Sequence, residues 1–521
     1  AQRLSCQSQS RQQCQLPREV VEKAWAHYTR KETVSVYNER MKRPIVYIPA
    51  TLLLVIFLII APSVIMGYQN ERNARAALAN YEIGNYPAAA INFELAARRL
   101  FWRPELWDDV GDVYAMDQLW GGMARAYEEA RVRNALTACN WNLLGAYYSI
   151  EEDNPGLALR TWEEGLQQYP ENFFLAYAIS TEYKKRGDYT LELKYLLDSL
   201  DGDMLDCNGL PISAAKVHYR ISLLLMQDDP TRALEELNTT ARLDEEFAPV
   251  VETLRTSLNL ASLEDDPAEK LILIGRGLAL AEEWQLAANA FDNATQVDPE
   301  NASAWAWLGE AKYQIGEDAL PFFEKAASIN PNSQTLLSLR ALYWQRYGDF
   351  ETALTDFEKL AVLEPENPNW QISLGALYAV LNDLPAALAA YEKAIELAPT
   401  EPTYRELLAL FSFDYQYDMA VTGLSAARRA IILAPEEARY IDTLGLVYLG
   451  LDRDEDAERQ FLRALEKDAE YAAAHLHLGM LYLKRGYPEL AYNSLLRARE
   501  LTSDWRVLGE TKRLLDEYFQ E

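Results

Sequence analysis

The residues able to do chemistry are few and poorly placed. The chain carries four histidines (His27, His218, His475, His477) and four cysteines (Cys6, Cys14, Cys139, Cys207) in 521 residues. Two helical ligands share a face only at i,i+3 or i,i+4 spacing. His475 and His477 are two apart and project about 200° from each other on a helix, so His477 reads as a packing or capping residue. No two cysteines have CxxC spacing, and no glycine-rich phosphate loop, GxSxG elbow or HExxH pair occurs. The acidic runs Glu264-Asp265-Asp266 and Asp454-Glu455-Asp456 lack the glycine and closing glutamate of a calcium loop and read as solvated turns and helix starts. These residues predict no catalytic site, no metal, no cofactor and no small-molecule substrate.

Charge narrows the function further. The net charge of -29 is opposite to what neutralising phosphates requires, which argues against nucleic acid as a partner. The excess is uneven: residues 1–69 hold nine basic and four acidic side chains, a net +5, and leave -34 for the remainder. Cys6 follows Leu4-Ser5 without the apolar core of a signal sequence before it. Cys139 and Cys207 can pair only if folding brings their α-carbons within about 7 Å. Three Asn-x-Ser/Thr sequons, at Asn238, Asn293 and Asn301, matter only in a glycosylating host.

No charged residue lies between Pro44 and Asn70, and Ile45 to Tyr68 reads IVYIPATLLLVIFLIIAPSVIMGY. A helix of about 20 apolar residues spans the hydrocarbon core, so a single transmembrane helix is expected over 44–69, with 45–68 in contact with lipid. A cleaved signal peptide fits less well, because the run is too long and starts too late. Arg40, Lys42 and Arg43 precede the run and Tyr47 and Tyr68 flank it, suiting a cytoplasmic N-terminal flank and an aromatic belt. The expected localisation is therefore a single-pass membrane protein with a cytoplasmic N-terminus and everything after Tyr68 periplasmic or extracellular. Residues 1–16 are Gln-rich and without apolar periodicity, a tail that is disordered or ordered by a partner. Over 17–43, Val21, Trp25 and Tyr28 at i, i+4, i+7 predict an amphipathic helix, either interfacial or partner-bound, or else a solvated linker.

The rest of the chain repeats. A small residue recurs at Gly111 and Gly145, at Gly275, Gly309 and Gly375, and at Gly445 and Gly479, with steps of 34 from Gly111 to Gly145, Gly275 to Gly309 and Gly445 to Gly479. Ala341 marks the unit before Gly375 with a slightly shorter step, while Ala77, Ser180, Ile221 and Phe411 mark weaker units. The clearest stretch, SLGALYAVLNDLPAALAAYEKAIELAP, places Leu374, Gly375, Tyr378, Ala387, Tyr391, Ala394 and Pro399 in an L-G-Y-A-Y-A-P pattern. That pattern resembles the tetratricopeptide repeat family and implies an all-α superhelical solenoid of about twelve helix-turn-helix units behind the membrane helix. In such units the small marker lets paired helices approach, and Ala387, Ala394, Ala457 and Ala464 let neighbouring pairs nest.

The breaks in the period set the expected domains. Seven surplus residues between Ser180 and Ile221 match the loop composition of Asp201–Pro211. A further 20 between Ile221 and Gly275 fit one unpaired helix near Phe247–Leu263. The expectation is a first arm over 70–200, an irregular junction over 201–266 with a bend, a second arm over 267–503, and a capping helix over 504–521.

The resemblance implies a partner groove on the first-helix face. The position after each marker holds Asp112, Ala146, Glu310, Leu342, Ala376, Leu446 and Met480, so the Asn and Lys carboxylate clamp of the family's chaperone-tail binders is absent. Three residues before the marker stand Tyr177, Ile272, Ile372, Leu408 and Leu476. Tyr177, Ile272, Leu342, Ile372, Leu408, Leu446, Leu476 and Met480 are thus the candidate partner-binding residues, unless the superhelix buries them against its own neighbours. Trp25, Tyr28, Arg40, Lys42, Arg43, Tyr47 and Tyr68 are the candidate membrane-interface residues. The function expected is a non-catalytic, membrane-anchored scaffold recruiting other proteins, similar in architecture to bacterial envelope proteins of this family. The alternative is a permanent accessory subunit of a larger membrane complex, respiratory or photosynthetic.

Overall fold

A computed structural model describes residues 50–79, 85–200 and 213–519. The tail 1–16, the helix expected over 17–43 with Trp25, Tyr28, Arg40, Lys42 and Arg43, Tyr47, the loop Asp201–Pro211, and Cys6, Cys14 and Cys207 lie outside the described residues. Among the described residues there are 26 α-helices and no strand. The chain divides into two compact units between Arg255 and Thr256.

The first unit holds five helix pairs: α1 (Ala50–Ala79) with α2 (Tyr86–Arg99), α3 (Leu106–Met116) with α4 (Trp120–Val132), α5 (Ala138–Ile150) with α6 (Pro155–Gln168), α7 (Phe173–Arg186) with α8 (Tyr189–Leu200), and α9 (Ala214–Leu225) with α10 (Pro230–Leu243). A single helix, α11 (Ala248–Leu263), contains the division. The second unit holds seven pairs: α12 (Pro267–Leu280) with α13 (Trp284–Val297), α14 (Ala302–Gln314) with α15 (Leu320–Ile329), α16 (Gln334–Tyr347) with α17 (Phe350–Leu363), α18 (Pro368–Val380) with α19 (Leu384–Leu397), α20 (Pro402–Asp414) with α21 (Leu424–Leu433), α22 (Ala438–Gly450) with α23 (Asp454–Lys467), and α24 (Ala472–Arg485) with α25 (Pro488–Leu501). Helix α26 (Trp505–Phe519) closes it: Leu514 and Leu515 are buried with Leu476 and Leu495, Phe519 packs on Tyr492, and Tyr518 stays outside.

Local chemistry fixes the helix ends. Asn154, Asp229 and Asp266 each precede a proline, and each accepts a hydrogen bond from a backbone N–H of the helix it caps. That combination satisfies an orphan donor and places proline where its missing N–H costs nothing. The turn between paired helices takes the left-handed conformation at Gly348 (φ 86°), and the corresponding turns use Asn382 and Asp452 instead.

The small marker has a geometric reason in each pair. A Cβ on Gly445 would stand 2.4 Å from Phe461 Cε1, one on Gly275 2.5 Å from Phe291, and one on Gly111 2.1 Å from Tyr127. In every case the ring belongs to the second helix, 16 residues on, and is fully buried. In one pair the sizes are exchanged: Phe411 occupies the marker position in α20, and Ala427 of α21 lies buried in the same core. That pair also carries a π turn, Met419–Gly423, before α21.

A second tie joins successive repeats. The tyrosine three residues after the marker has a hydroxyl partner on the preceding repeat's second helix. Tyr148 donates to Glu128 at 2.6 Å, Tyr378 to Glu358 at 2.9 Å and Tyr482 to Glu458 at 2.9 Å, while Tyr448 accepts from Arg428 at 3.1 Å.

Helix α1 crosses the boundary that the sequence suggests at residues 69 and 70. The switch from apolar to polar at Gln69-Asn70-Glu71 contains no helix breaker, so one helix carries both the end of the apolar run and the first-helix role of the first repeat. Leu100 fills the space beside Gly67, 2.8 Å from its Cβ position, and Ala74 is buried in the first core. Phe57, Leu58, Ile59, Ile65, Met66 and Tyr68 are exposed. The run's start and the side chains of residues 50–56 lie outside the described ones, among which no helix is long and apolar enough to cross a membrane.

Replacing Gly445 with alanine should lower stability by about 1–3 kcal/mol through overpacking, although alanine favours a helix by about 1 kcal/mol. Gly309→Ala, whose methyl would stand 3.0 Å from Phe323, should cost less. Guanidinium unfolding of the full chain measures both, and unchanged midpoints would show that the rings have room to move.

Candidate functional site

The face built by the first helices is the place to look for a site, because each repeat contributes one helix to it and a period of about 34 brings equivalent positions side by side. Its polar side chains are largely bound to each other across neighbouring repeats. In the second unit Asn301 donates to Glu269 at 3.1 Å, and Ser303 and Thr335 share a hydrogen bond. Arg346 Nη1 spans both oxygens of Glu310 at 2.7 and 2.9 Å. Tyr404 donates to Asn369, and Arg439 donates to Glu406 at 2.6 Å and to Thr403. His477 Nδ1 lies 2.9 Å from both oxygens of buried Asp442, with its ring against Phe461. The first unit repeats the device with Asn140 on Asp108, and with Lys185 on Ser149. Each bond joins first helices, or the residues capping them, 32 to 36 residues apart.

Of the eight residues that the sequence singles out for partner binding, Ile272, Leu408, Leu446 and Leu476 are buried by their own neighbours and do not face outward. The physical reason is the tight stacking of first helices, which closes the row three before the marker and part of the row after it. Ile372 packs against the α18–α24 core, and Met480 packs beside α26. Tyr177, stacked on Phe173 at 5.4 Å, and Leu342 remain exposed.

A different row is open. Five residues after the marker stand Met116, Ile150, Leu280 and Val380, all exposed apolar side chains at the C-terminal ends of first helices. In the first unit Met116 and Ile150 are 34 apart, and the turn after Met116 brings Leu119 and Trp120 out as well. Leu119, Trp120, Arg125, Tyr147 and Glu151 line an open cleft there. The signal that finds this row is the same 34-residue step, read five positions past the marker.

Helix α3 also carries a pair of carboxylates. Asp108 and Asp112 stand one helical turn apart on α3. Asn140 donates to both at 2.8 and 2.7 Å, and Tyr127 donates to Asp112 at 2.9 Å. Burial pushes the Asp108 carboxyl up to about 7, with repulsion from Asp112 adding to it, and burial raises Asp112 as well. The two acids thus share one amide donor in a largely buried cluster. Among the described residues no three His, Cys, Asp or Glu side chains gather as a metal site would require. Cys139 is disulfide-bonded, and the other three cysteines lie outside the described residues.

Residues 272–333, 340–402 and 443–503 match the tetratricopeptide repeat family. No curated protein matches the chain. Among solved structures, a tetratricopeptide repeat protein from Parabacteroides merdae is similar at 19% identity, over 47% of this chain and 98% of that one, with a TM-score of 0.40. The Cut9–Hcn1 hetero-tetramer of the APC/C is similar at 16% identity, over 88% of this chain and 99% of that one, with a TM-score of 0.37. Yeast Tom70 is similar at 15% identity, over 80% of this chain and 95% of that one, also at 0.37.

The raised carboxylates give a signed pH dependence. The native state holds protons that the unfolded chain releases between about pH 4 and 7, so this cluster's contribution to stability falls as pH rises through that window. Asp108→Asn should therefore stabilise the protein at pH 8, by on the order of 1–3 kcal/mol, and have little effect at pH 4.5. Denaturant midpoints at the two pH values check this; an equal effect at both would mean that Asp108 is ionised throughout.

Proposed function

We propose, for a chain that is a solenoid of tetratricopeptide repeats, a non-catalytic role as a membrane-anchored scaffold that binds another protein through the apolar edge of its first helices. The observation that carries the reading is the exposure of Met116, Leu119, Trp120 and Ile150 at the ends of neighbouring helices, with Leu119 and Trp120 lining a cleft. An exposed apolar patch beside a polar, self-paired face suits an amphipathic helix or another apolar segment of a partner. Anchoring is supported by the uncharged run 45–68, by the exposed apolar side chains of α1, and by the basic residues before the run. The disulfide at Cys139 supports placing the repeats on an oxidising, non-cytoplasmic side.

Affinity purification of the intact membrane form, with and without Met116→Asp and Trp120→Asp, tests the edge. Recovery of co-purifying protein should fall by about tenfold or more, the equivalent of about 1.4 kcal/mol or more, while the detergent-solubilised chain stays folded. Undiminished recovery would move the binding surface elsewhere. A partner present at fixed stoichiometry through gel filtration would favour the accessory-subunit reading. Protease added to spheroplasts should digest the repeats and spare the N-terminal arm, and the reverse pattern would invert the orientation.

A further inference from the structure

The turn that follows α2 holds an unusual set of side chains for a solvent-facing loop. Phe101 is 75% exposed and Trp102 44% exposed, edge to face at 5.1 Å, within the sequence Arg98-Arg99-Leu100-Phe101-Trp102-Arg103. Because α2 runs antiparallel to α1, this turn points back along α1 toward its apolar end. Its height on α1 is fixed by contacts. Leu100 fills the gap at Gly67, Arg103 donates to Glu71 at 2.6 Å, and the Asn70 carboxamide accepts from Arg99 at 2.6 Å in the orientation that also satisfies Met66 O. Phe101 and Trp102 therefore stand level with Ile65 to Glu71, where the uncharged run ends and exposed Tyr68 sits.

We infer that Phe101 and Trp102 form a second membrane contact, seated at the headgroup boundary of the bilayer leaflet on the repeat side. The inference rests on the anchoring reading above and extends it from one helix to the first repeat. At that depth the Trp102 indole turns its ring to acyl chains and its N–H to headgroups, as an interfacial belt does, and the Phe101 ring adds apolar area beside it. The occupant is lipid rather than protein, because two side chains beside an apolar helix face fall far short of the roughly 1,200 Å² that a stable protein interface buries. Arg103 is ion-paired to Glu71 and Glu105, Arg98 to Glu94, and Arg99 is held by the Asn70 carboxamide, so the turn's cationic groups are engaged within the protein and the rings make the contact. Binding should therefore depend little on anionic lipid.

The test uses the full chain reconstituted in phosphatidylcholine vesicles, with and without phosphatidylglycerol, its free thiols replaced by serine and one nitroxide label introduced by Phe101→Cys, Ile59→Cys or Ile150→Cys. Oxygen and nickel-chelate collision rates report the depth of each label. The expected result is lipid exposure at 59, an oxygen-to-nickel ratio at 101 raised above that at 150, and the same values in both lipid mixtures. A lipid-exposed label at 59 with an aqueous label at 101 overturns the inference while leaving the anchor standing. An aqueous label at 59 overturns the anchor and the inference with it. A ratio at 101 that rises only when phosphatidylglycerol is present overturns the ring-based contact in favour of charge.

Discussion

The strongest units of this molecule depend on a volume exchange inside each helix pair. One first-helix position gives up its side chain so that a ring from the second helix can lie against bare backbone, as Phe461 does at Gly445 and Phe291 at Gly275. Helices brought that close leave no space for water, and the ring is wholly buried. The exchange also works reversed, with Phe411 facing a helix that offers Ala427, so either helix can supply the large residue. Ser180 and Ile221 mark weaker units for the same reason: each carries a side chain where the strong units have none, and each lies buried against a second helix without a large ring 16 residues on.

The polar ties follow from that close stacking. Once first helices sit side by side, an acid on one repeat and a donor on the next come within hydrogen-bond reach and lose their water together, which makes pairing obligatory. Glu310 with Arg346 and Asp442 with His477 are the most deeply buried examples, both acids being almost wholly covered. A face that spends its polar groups on itself has few left to clamp a charged ligand. The apolar ends of the first helices, which have no such partners, are what remains.

The repeat count and the helix pairing were legible because a volume exchange leaves a small residue at a fixed step. The polar ties were not, since their partners are a repeat apart and change type each time: Asn with Asp, Arg with Glu, His with Asp. Which of the two readings holds at Ile272, Leu408, Leu446 and Leu476, outward-facing or buried, was not legible, because sequence shows which residues share a row but not how tightly the rows close. Met116 and Ile150 keep the 34-residue step at the ends of their helices, so that row is legible in the sequence. The continuity of α1 was hidden by a change of polarity, which marks a change of solvent and not an end of helix.

That continuity has a mechanical side. A chain that passes from an apolar run into a repeat through a loop would leave the repeat free to swivel. Here Gly67, Glu71 and Ala74 lie on successive turns of one helix, and Leu100 and Arg103 grip it from the side. Whatever medium holds Phe57 to Tyr68 therefore sets the bearing of the first repeat, and a sideways load on that repeat is carried as tilt of α1 rather than absorbed at a joint.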